Sequence, residues 1–193
     1  MRRHGRTTGV TLVESMIATF SMPSFVEWRQ RDQVEARARA MVAALAAARA
    51  ESMTRGTRVA LCRSNGVAAC APAGLACDGA GRDWSCAWAI VALDKPGMSG
   101  MSRAHTSAAQ AGAPSGGRVL RRLPSDPGVR VEGAAPDIVF TPPAGQIMGG
   151  FRRFEFSPRT LPGRAMFARA WRCLRIAAGG RARLSVGRCG AGE

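Results

Sequence analysis

The sequence predicts an α+β protein in which one long N-terminal helix is followed by a single β-rich domain. Three observations carry that expectation. From Ser24 to Thr54 no glycine or proline occurs, and Val34, Ala38, Met41, Val42, Leu45 and Ala48 recur at helical spacing. After Gly56 the pattern changes to short apolar segments separated by glycine-bearing stretches. Apolar residues make up 46% of the 193, enough to bury a core, and charged residues make up 21%, which is not the composition of a disordered chain.

The first element is a basic leader. Residues 1–9 read MRRHGRTTG, with Arg2, Arg3 and Arg6 and no acid. The apolar segment Val10–Met22 follows. Such a leader is read as targeting rather than as fold. In an ordinary secretory signal the cleavage site follows the apolar region, whereas here Gly9 precedes it and Glu14 sits inside it. A carboxylate in an apolar helix is unfavourable unless paired, so Glu14 is a functional candidate. Val10–Met22 is 13 residues, about 20 Å of helix, short of a hydrocarbon core of about 30 Å. A thinned bilayer or a helix that continues past Pro23 would meet the shortfall.

From Pro23 the periodicity predicts an amphipathic helix that lays its apolar stripe on the β domain, with Arg29, Arg31, Arg37 and Arg39 on the other side and Gly56 as the stop. Strands are expected at Arg58–Cys62, Trp84–Leu93, Val119–Leu123, Val129–Val131, Asp137–Phe140 and Phe151–Phe156, with closing strands near Arg172–Ile176 and Arg183–Val186. Residues 63–83 form a loop bearing glycine and cysteine. Residues 96–117 are rich in Gly, Ser and Ala and read as a second loop. No internal repeat and no long linker divides the chain.

Six cysteines, Cys62, Cys70, Cys77, Cys86, Cys173 and Cys189, suit three disulfides and an oxidising compartment. The alternatives are free thiols or zinc, but no pair has Cys-x-x-Cys spacing and the histidines are His4 and His105 alone. Cys173 and Cys189 flank a hairpin pattern and are expected to pair, leaving the other four to pair among themselves. Asp78, Asp83 and Asp94 read as loop and turn residues, and His105 lies in the low-complexity loop. No catalytic residue, metal site or cofactor is expected.

Charge is the remaining signal. The chain carries 28 basic residues, Lys95 being the one lysine, against 13 acids, a net +15. Arginine bias across the whole chain can reflect composition. The last 42 residues are different: ten arginines face only Glu155 and Glu193. Strand alternation puts Leu174, Ile176, Leu184 and Val186 on one face and Arg175, Arg181 and Arg183 on the other, around an Ala178-Gly179-Gly180 turn. The expected object is a stiff finger presenting guanidinium groups, with Arg188 added from the same geometry. Guanidinium matches phosphate oxygens bidentately, so the finger suits salt-dependent, sequence-independent contact with a DNA backbone. Trp171 reads as a buried anchor rather than a stacking platform. The competing reading of the arginines is a solvated edge strand whose charge opposes aggregation.

Gly9-Val10-Thr11-Leu12-Val13-Glu14 resembles the type IV prepilin signal. That resemblance implies that a prepilin peptidase cuts after Gly9 and methylates Val10, which stands where the family usually has Phe. It also implies that Glu14 meets a neighbouring subunit's terminal amine during assembly. Further along, Pro23-Ser24-Phe25, the stretch Leu45–Ser52, Val59–Ser64, Asp83-Trp84-Ser85 with Trp88, Ile138-Val139-Phe140 with Gly145, and Cys173 through Gly180-Arg181 to Cys189 follow one another as in the GspH/FimT group of minor pilins and pseudopilins. The likeness covers nearly the whole chain. It implies a type IV pilin-like fold, a helix packed on antiparallel β-sheets. It further implies a leader at 1–9, a helix at 10–55 (membrane and assembly segment 10–22, amphipathic part 23–55) and a β-rich periplasmic domain at 56–193. The expected location is the inner membrane, as a single-pass protein, and then a pilus or pseudopilus built with other pilins. Gly180-Arg181-Ala182-Arg183 matches the Gly-Arg-x-Arg motif of FimT-like minor pilins, which bind DNA during natural transformation. It implies Arg181 and Arg183 as the main DNA contacts. The alternative is a structural minor pseudopilin of type II secretion that does not bind DNA.

Overall fold

The computed structural model describes residues 7–64, 70, 77, 82–93, 117–160 and 167–190; for residues 7–24, 167 and 168 it describes the helical backbone alone. The first helix, α1, spans Thr7–Arg55, so Pro23 lies within it. Among the described residues no helix is long and apolar enough to cross a membrane. Alanine, the strongest helix former, dominates residues 43–50. Gly56, at φ +61°, takes the left-handed conformation that ends the helix.

Among the described residues nine strands follow: β1 (Val59–Ser64), β2 (Ala87–Leu93), β3 (Gly117–Leu123), β4 (Val129–Gly133), β5 (Asp137–Thr141), β6 (Gln146–Ile147), β7 (Arg152–Pro158), β8 (Arg172–Ile176) and β9 (Ala182–Val186), with a short helix α2 (Phe167–Ala170) before β8. They form two antiparallel sheets. One has the order β3-β2-β1-β5-β6, the other β4-β7-β8-β9. The expected strand at Trp84–Leu93 begins later, at Ala87, because Asp83 Oδ1 accepts from both Ser85 N (2.8 Å) and Ser85 Oγ (2.5 Å) and holds a turn there.

The apolar stripe of α1 packs on both sheets. Val34, Ala38, Met41, Leu45 and Ala48 are buried with Leu61, Ile90 and Phe140 of the first sheet and Phe154, Phe156, Leu174 and Ile176 of the second. Trp84 meets Phe154 edge-to-face at 4.9 Å, and its Nε1 donates to Ala135 O at 2.8 Å. The opposite face of β1 and β2 is covered separately: Cys62, Ala89 and Val91 form a small second cluster with Cys70. The disulfides are Cys62–Cys70, Cys77–Cys86 and Cys173–Cys189.

Two expectations are corrected by the packing. Arg37 is not on the solvent side of the helix but buried. Its Nη1 donates to Pro124 O (2.5 Å), its Nη2 donates to Cys86 O (2.9 Å), and its guanidinium lies 3.5 Å from the centre of the Trp88 ring. Loss of water pushes its pKa down to about 10. Val186 is not in the core but 67% exposed, because β9 is the outer strand of its sheet and none of the described residues covers its end. Leu184 is half-buried against the core.

A second polar pin ties the helix to β8. The buried Arg172 donates from Nε to Glu35 Oε2, and from Nη1 to Arg169 O (2.7 Å) and Trp171 O (2.8 Å). The hydrogen bond from Arg172, helped by Arg39, holds the Glu35 carboxyl below its ordinary range. A carboxylate whose folded pKa is depressed contributes stability that is full above its unfolded pKa, about 4.3, and is lost as the pH falls through the folded value. Glu35→Gln is therefore expected to lower the melting temperature at neutral pH, with the gap from wild type closing below about pH 4. Thermal melts across that range check it; a gap that does not vary with pH would count against the ion pair.

Candidate nucleic-acid interface

The site is built on the face of the second sheet turned away from α1. Phe154, Leu174 and Leu184 share the core face, so their neighbours Arg153, Arg175 and Arg183 share the other, and all three are exposed. Register brings them together: Arg153 lies opposite Arg175 on β7 and β8, and Arg175 lies opposite Arg183 on β8 and β9. Neighbouring strands lie about 4.8 Å apart, so the three arginines are rooted in one row whose backbone spans about 10 Å. Like charges directly opposite one another on a sheet repel. Two acids, Glu132 and Glu155, line a small pocket with Arg153 but make no ion pair with it. Glu132 pairs with Arg130 at 2.9 Å, and Glu155 accepts from Cys189 N at 2.9 Å. Among the described residues, Arg153, Arg175, Arg181 and Arg183 make no ion pair and no side-chain hydrogen bond.

The hairpin carrying Arg175, Arg181 and Arg183 forms as expected, but it is not a projecting finger. Gly180, at φ +78°, is buried, and a side chain there would meet Gly145 O at 2.6 Å. Ile147 N donates to Ala178 O (3.0 Å), which binds the hairpin turn to β6. Arg49 of α1 lies beneath the same turn and donates from Nη2 to Ala144 O (3.2 Å). Gly180 thus shapes and seats the turn, and the arginines beside it supply the exposed charge. Ala177 N donates to Arg181 O (3.0 Å), so Arg181 closes the hairpin through its backbone while its side chain stays in solvent.

The other sequence-derived residues divide. Arg188 is exposed and lies over the ring of the half-buried Trp171, 3.9 Å from its centre, so one face of that ring is already covered. Cys173–Cys189 closes the base of the hairpin. Gly9, Val10 and Glu14 fall within the first part of α1, and their side chains lie outside the described residues, as do Asp78, Asp94 and His105. Asp83 serves its turn. Among the described residues no group of three or more His, Cys, Asp or Glu side chains is placed to hold a metal ion.

Sequence reasoning missed two residues. Arg153 joins the row only through the pairing of β7 with β8, which local pattern does not reveal. Arg49 lines a groove of about 510 Å³ between α1 and β9, together with Val42, Ala46, Met53, Arg181 and Arg183. Its one sequence signal is an arginine interrupting the alanine run 46–50.

A long N-terminal helix laid over antiparallel sheets is the type IV pilin fold. Residues 37–180 match the family described as type II transport protein GspH, and the chain belongs to that family, among the GspH/FimT-type pilin-like proteins. These are structural, filament-forming subunits that assemble with other pilins and reside in the periplasm or the pilus. Among solved structures the chain is similar to the type IV minor pilin FimU of Pseudomonas aeruginosa in two crystal forms. One is 16% identical over 78% of this chain and 91% of that chain, with a TM-score of 0.47; the other is 16% identical over 82% and 92%, with a TM-score of 0.48. No curated protein sequence matches the chain.

The disulfide at the hairpin base spans 16 residues, for which chain-entropy arguments give about 3 kcal/mol. Cys173→Ala/Cys189→Ala is expected to lower stability by roughly that amount. Urea denaturation of the oxidised proteins checks the figure, and an unchanged midpoint would mean that the core and the Gly180 seat alone hold β9.

Proposed function

We propose that this chain is a minor type IV pilin that binds extracellular DNA through its arginine-bearing sheet face, for pilus-mediated uptake in natural transformation. The observation that carries this reading is the cross-strand row of arginines that, among the described residues, make no ion pair. Arg181 and Arg183 are the main contacts, Arg175 lies beside them, and Arg188 and Arg153 extend the surface. Each guanidinium offers two parallel N–H donors to phosphate oxygens. Such contacts release condensed counterions and read no base sequence. No catalysis is assigned.

The leader belongs to the same proposal. Prepilin peptidase cuts after Gly9, leaving Val10 as the methylated N-terminus. Residues 10–22 then hold the subunit in the inner membrane, with residues 56–193 on the periplasmic side. Glu14 pairs with a neighbouring terminal amine as the subunit enters the filament.

One observation favours a second reading, a structural pseudopilin of type II secretion. Arg181 and Arg183 lie on or beside β9, an edge strand, where charge protects against edge-to-edge pairing.

Fluorescence anisotropy separates the two. The oxidised full-length protein is titrated onto a short labelled duplex at several salt concentrations, alongside Arg181→Ala/Arg183→Ala. The expected result is salt-sensitive binding that weakens in the double variant, with a log–log salt slope shallower by about 2. Equal binding by both proteins would assign the effect to total charge, and no binding at low salt would favour the structural pseudopilin. For the leader, Gly9→Ala is expected to leave the precursor uncleaved by prepilin peptidase, so that intact-mass measurement finds residues 1–9 retained. An unchanged mature mass in that variant would overturn the assignment.

A further inference from the structure

Beside the arginine row is a cavity of about 620 Å³ whose lining includes Ala135, Pro136, Phe151, Arg153, Arg175 and Gly190. Its volume lies within the range of small-molecule sites. Phe151 is 79% exposed, the most exposed large apolar side chain among the described residues. It is held there by local structure. Arg152 turns back and donates from Nη1 to Gly149 O (2.5 Å) and Phe151 O (3.1 Å), and from Nη2 to Met148 O (3.2 Å). Gly149 and Gly150 both have positive φ, +85° and +82°, which fixes the turn that delivers Phe151 to the cavity rim. An exposed aromatic ring thus stands on a braced turn next to two guanidinium groups that, among the described residues, make no ion pair.

That combination has a specific complement. Aromatic rings stack on bases, and arginines beside them bind the strand's phosphates. A duplex keeps its bases stacked inside and offers none to a ring on a protein surface, whereas an unpaired nucleotide does. An apolar side chain from a neighbouring subunit would fill the cavity but leave Arg153 and Arg175 facing each other with no anion. We propose that this cavity takes one unpaired nucleobase of a DNA strand, stacked on Phe151 with its flanking phosphates on Arg153 and Arg175. The protein then prefers single strands and frayed ends to intact duplex. This inference rests on the DNA-binding reading above and names the form of DNA that the surface holds.

The test uses the oxidised full-length protein and two labelled probes of equal length, a thymidine homopolymer and a duplex, at one salt concentration. The wild type binds the single strand more tightly. Phe151→Ala lowers single-strand affinity about tenfold and leaves duplex affinity unchanged, while Phe151→Trp restores the preference. Phe151 is exposed, so neither substitution disturbs the core. Arg181→Ala/Arg183→Ala weakens binding to both probes. If Phe151→Ala leaves the ratio of the two affinities unchanged while DNA binding persists, the stacking inference is wrong and the phosphate-binding reading stands. If neither probe binds, both fall together. If Phe151→Ala abolishes filament incorporation with DNA binding unaltered, the cavity serves a neighbouring subunit and the inference is overturned.

Discussion

Two antiparallel sheets, of five and four strands, each turn an apolar face inward, and a single helix covers both. The stripe of α1 from Val34 to Ala48 supplies the contact, and alanines within it let the helix approach the strands closely. Because the same stripe touches Leu61 and Phe140 on one side and Phe154 and Leu174 on the other, it sets the relation of one sheet to the other. Polar pins fix its position along its axis: Arg37 reaches the carbonyls of Pro124 and Cys86, and Glu35 meets Arg172. A buried arginine is tolerated here because it is hydrogen-bonded and stacked on Trp88. Loss of any one of those partners would leave a charge or a carbonyl unsatisfied in the core.

The exposed arginines depend on that packing. Arg153 precedes the buried Phe154, and Arg175 lies between the buried Leu174 and Ile176, so both face solvent because those apolar neighbours are anchored under α1. At the other end of the hairpin, the Gly180 turn is seated against Gly145 and Arg49 and bonded to β6. The repulsion within the row is therefore borne by a sheet that cannot splay at either end, with Cys173–Cys189 closing the base. A free finger, as local sequence suggests, would let its side chains spread and lower the local charge density. Seating the tip keeps the backbone that carries these arginines at strand spacing.

The elements that were legible in the sequence are those fixed by local period. The helix stripe, the position of Gly56, most strand positions, the pairing of Cys173 with Cys189 and the solvent face of Arg175, Arg181 and Arg183 follow from residues within one element or one hairpin. What was not legible depends on distant partners. Arg37 sits among arginines on a helix, and its burial is decided by Trp88, Cys86 and Pro124, 49 to 87 residues away in sequence. Parity assigns Val186 a face, but only the strand order shows that β9 is an edge with its last residues uncovered. Arg153 and Arg49 entered the site through a strand pairing and a helix–turn contact that no local pattern encodes. Phe151 resembles the first residue of a strand, and its exposure is set by the two glycines and the arginine around it.

Strand order also bears on what the arginines do. Protection of a free edge is a sufficient reason for charge on β9, the outer strand, and accounts for Arg183 and the adjacent Arg181. It gives no reason for Arg153 or Arg175, because β7 and β8 are paired on both sides. Neighbouring members of the row are rooted on strands about 4.8 Å apart, and among the described residues none of them makes an ion pair. Sheet stability is served by placing acids beside arginines, as on β4, where Glu132 pairs with Arg130 two residues away on the same strand. A row that forgoes such partners across two interior strands and one edge is better explained by a partner that supplies the negative charge from outside, at several points along its length. A polyanion does so, and the more of its phosphates that meet the row at once, the more counterions it releases.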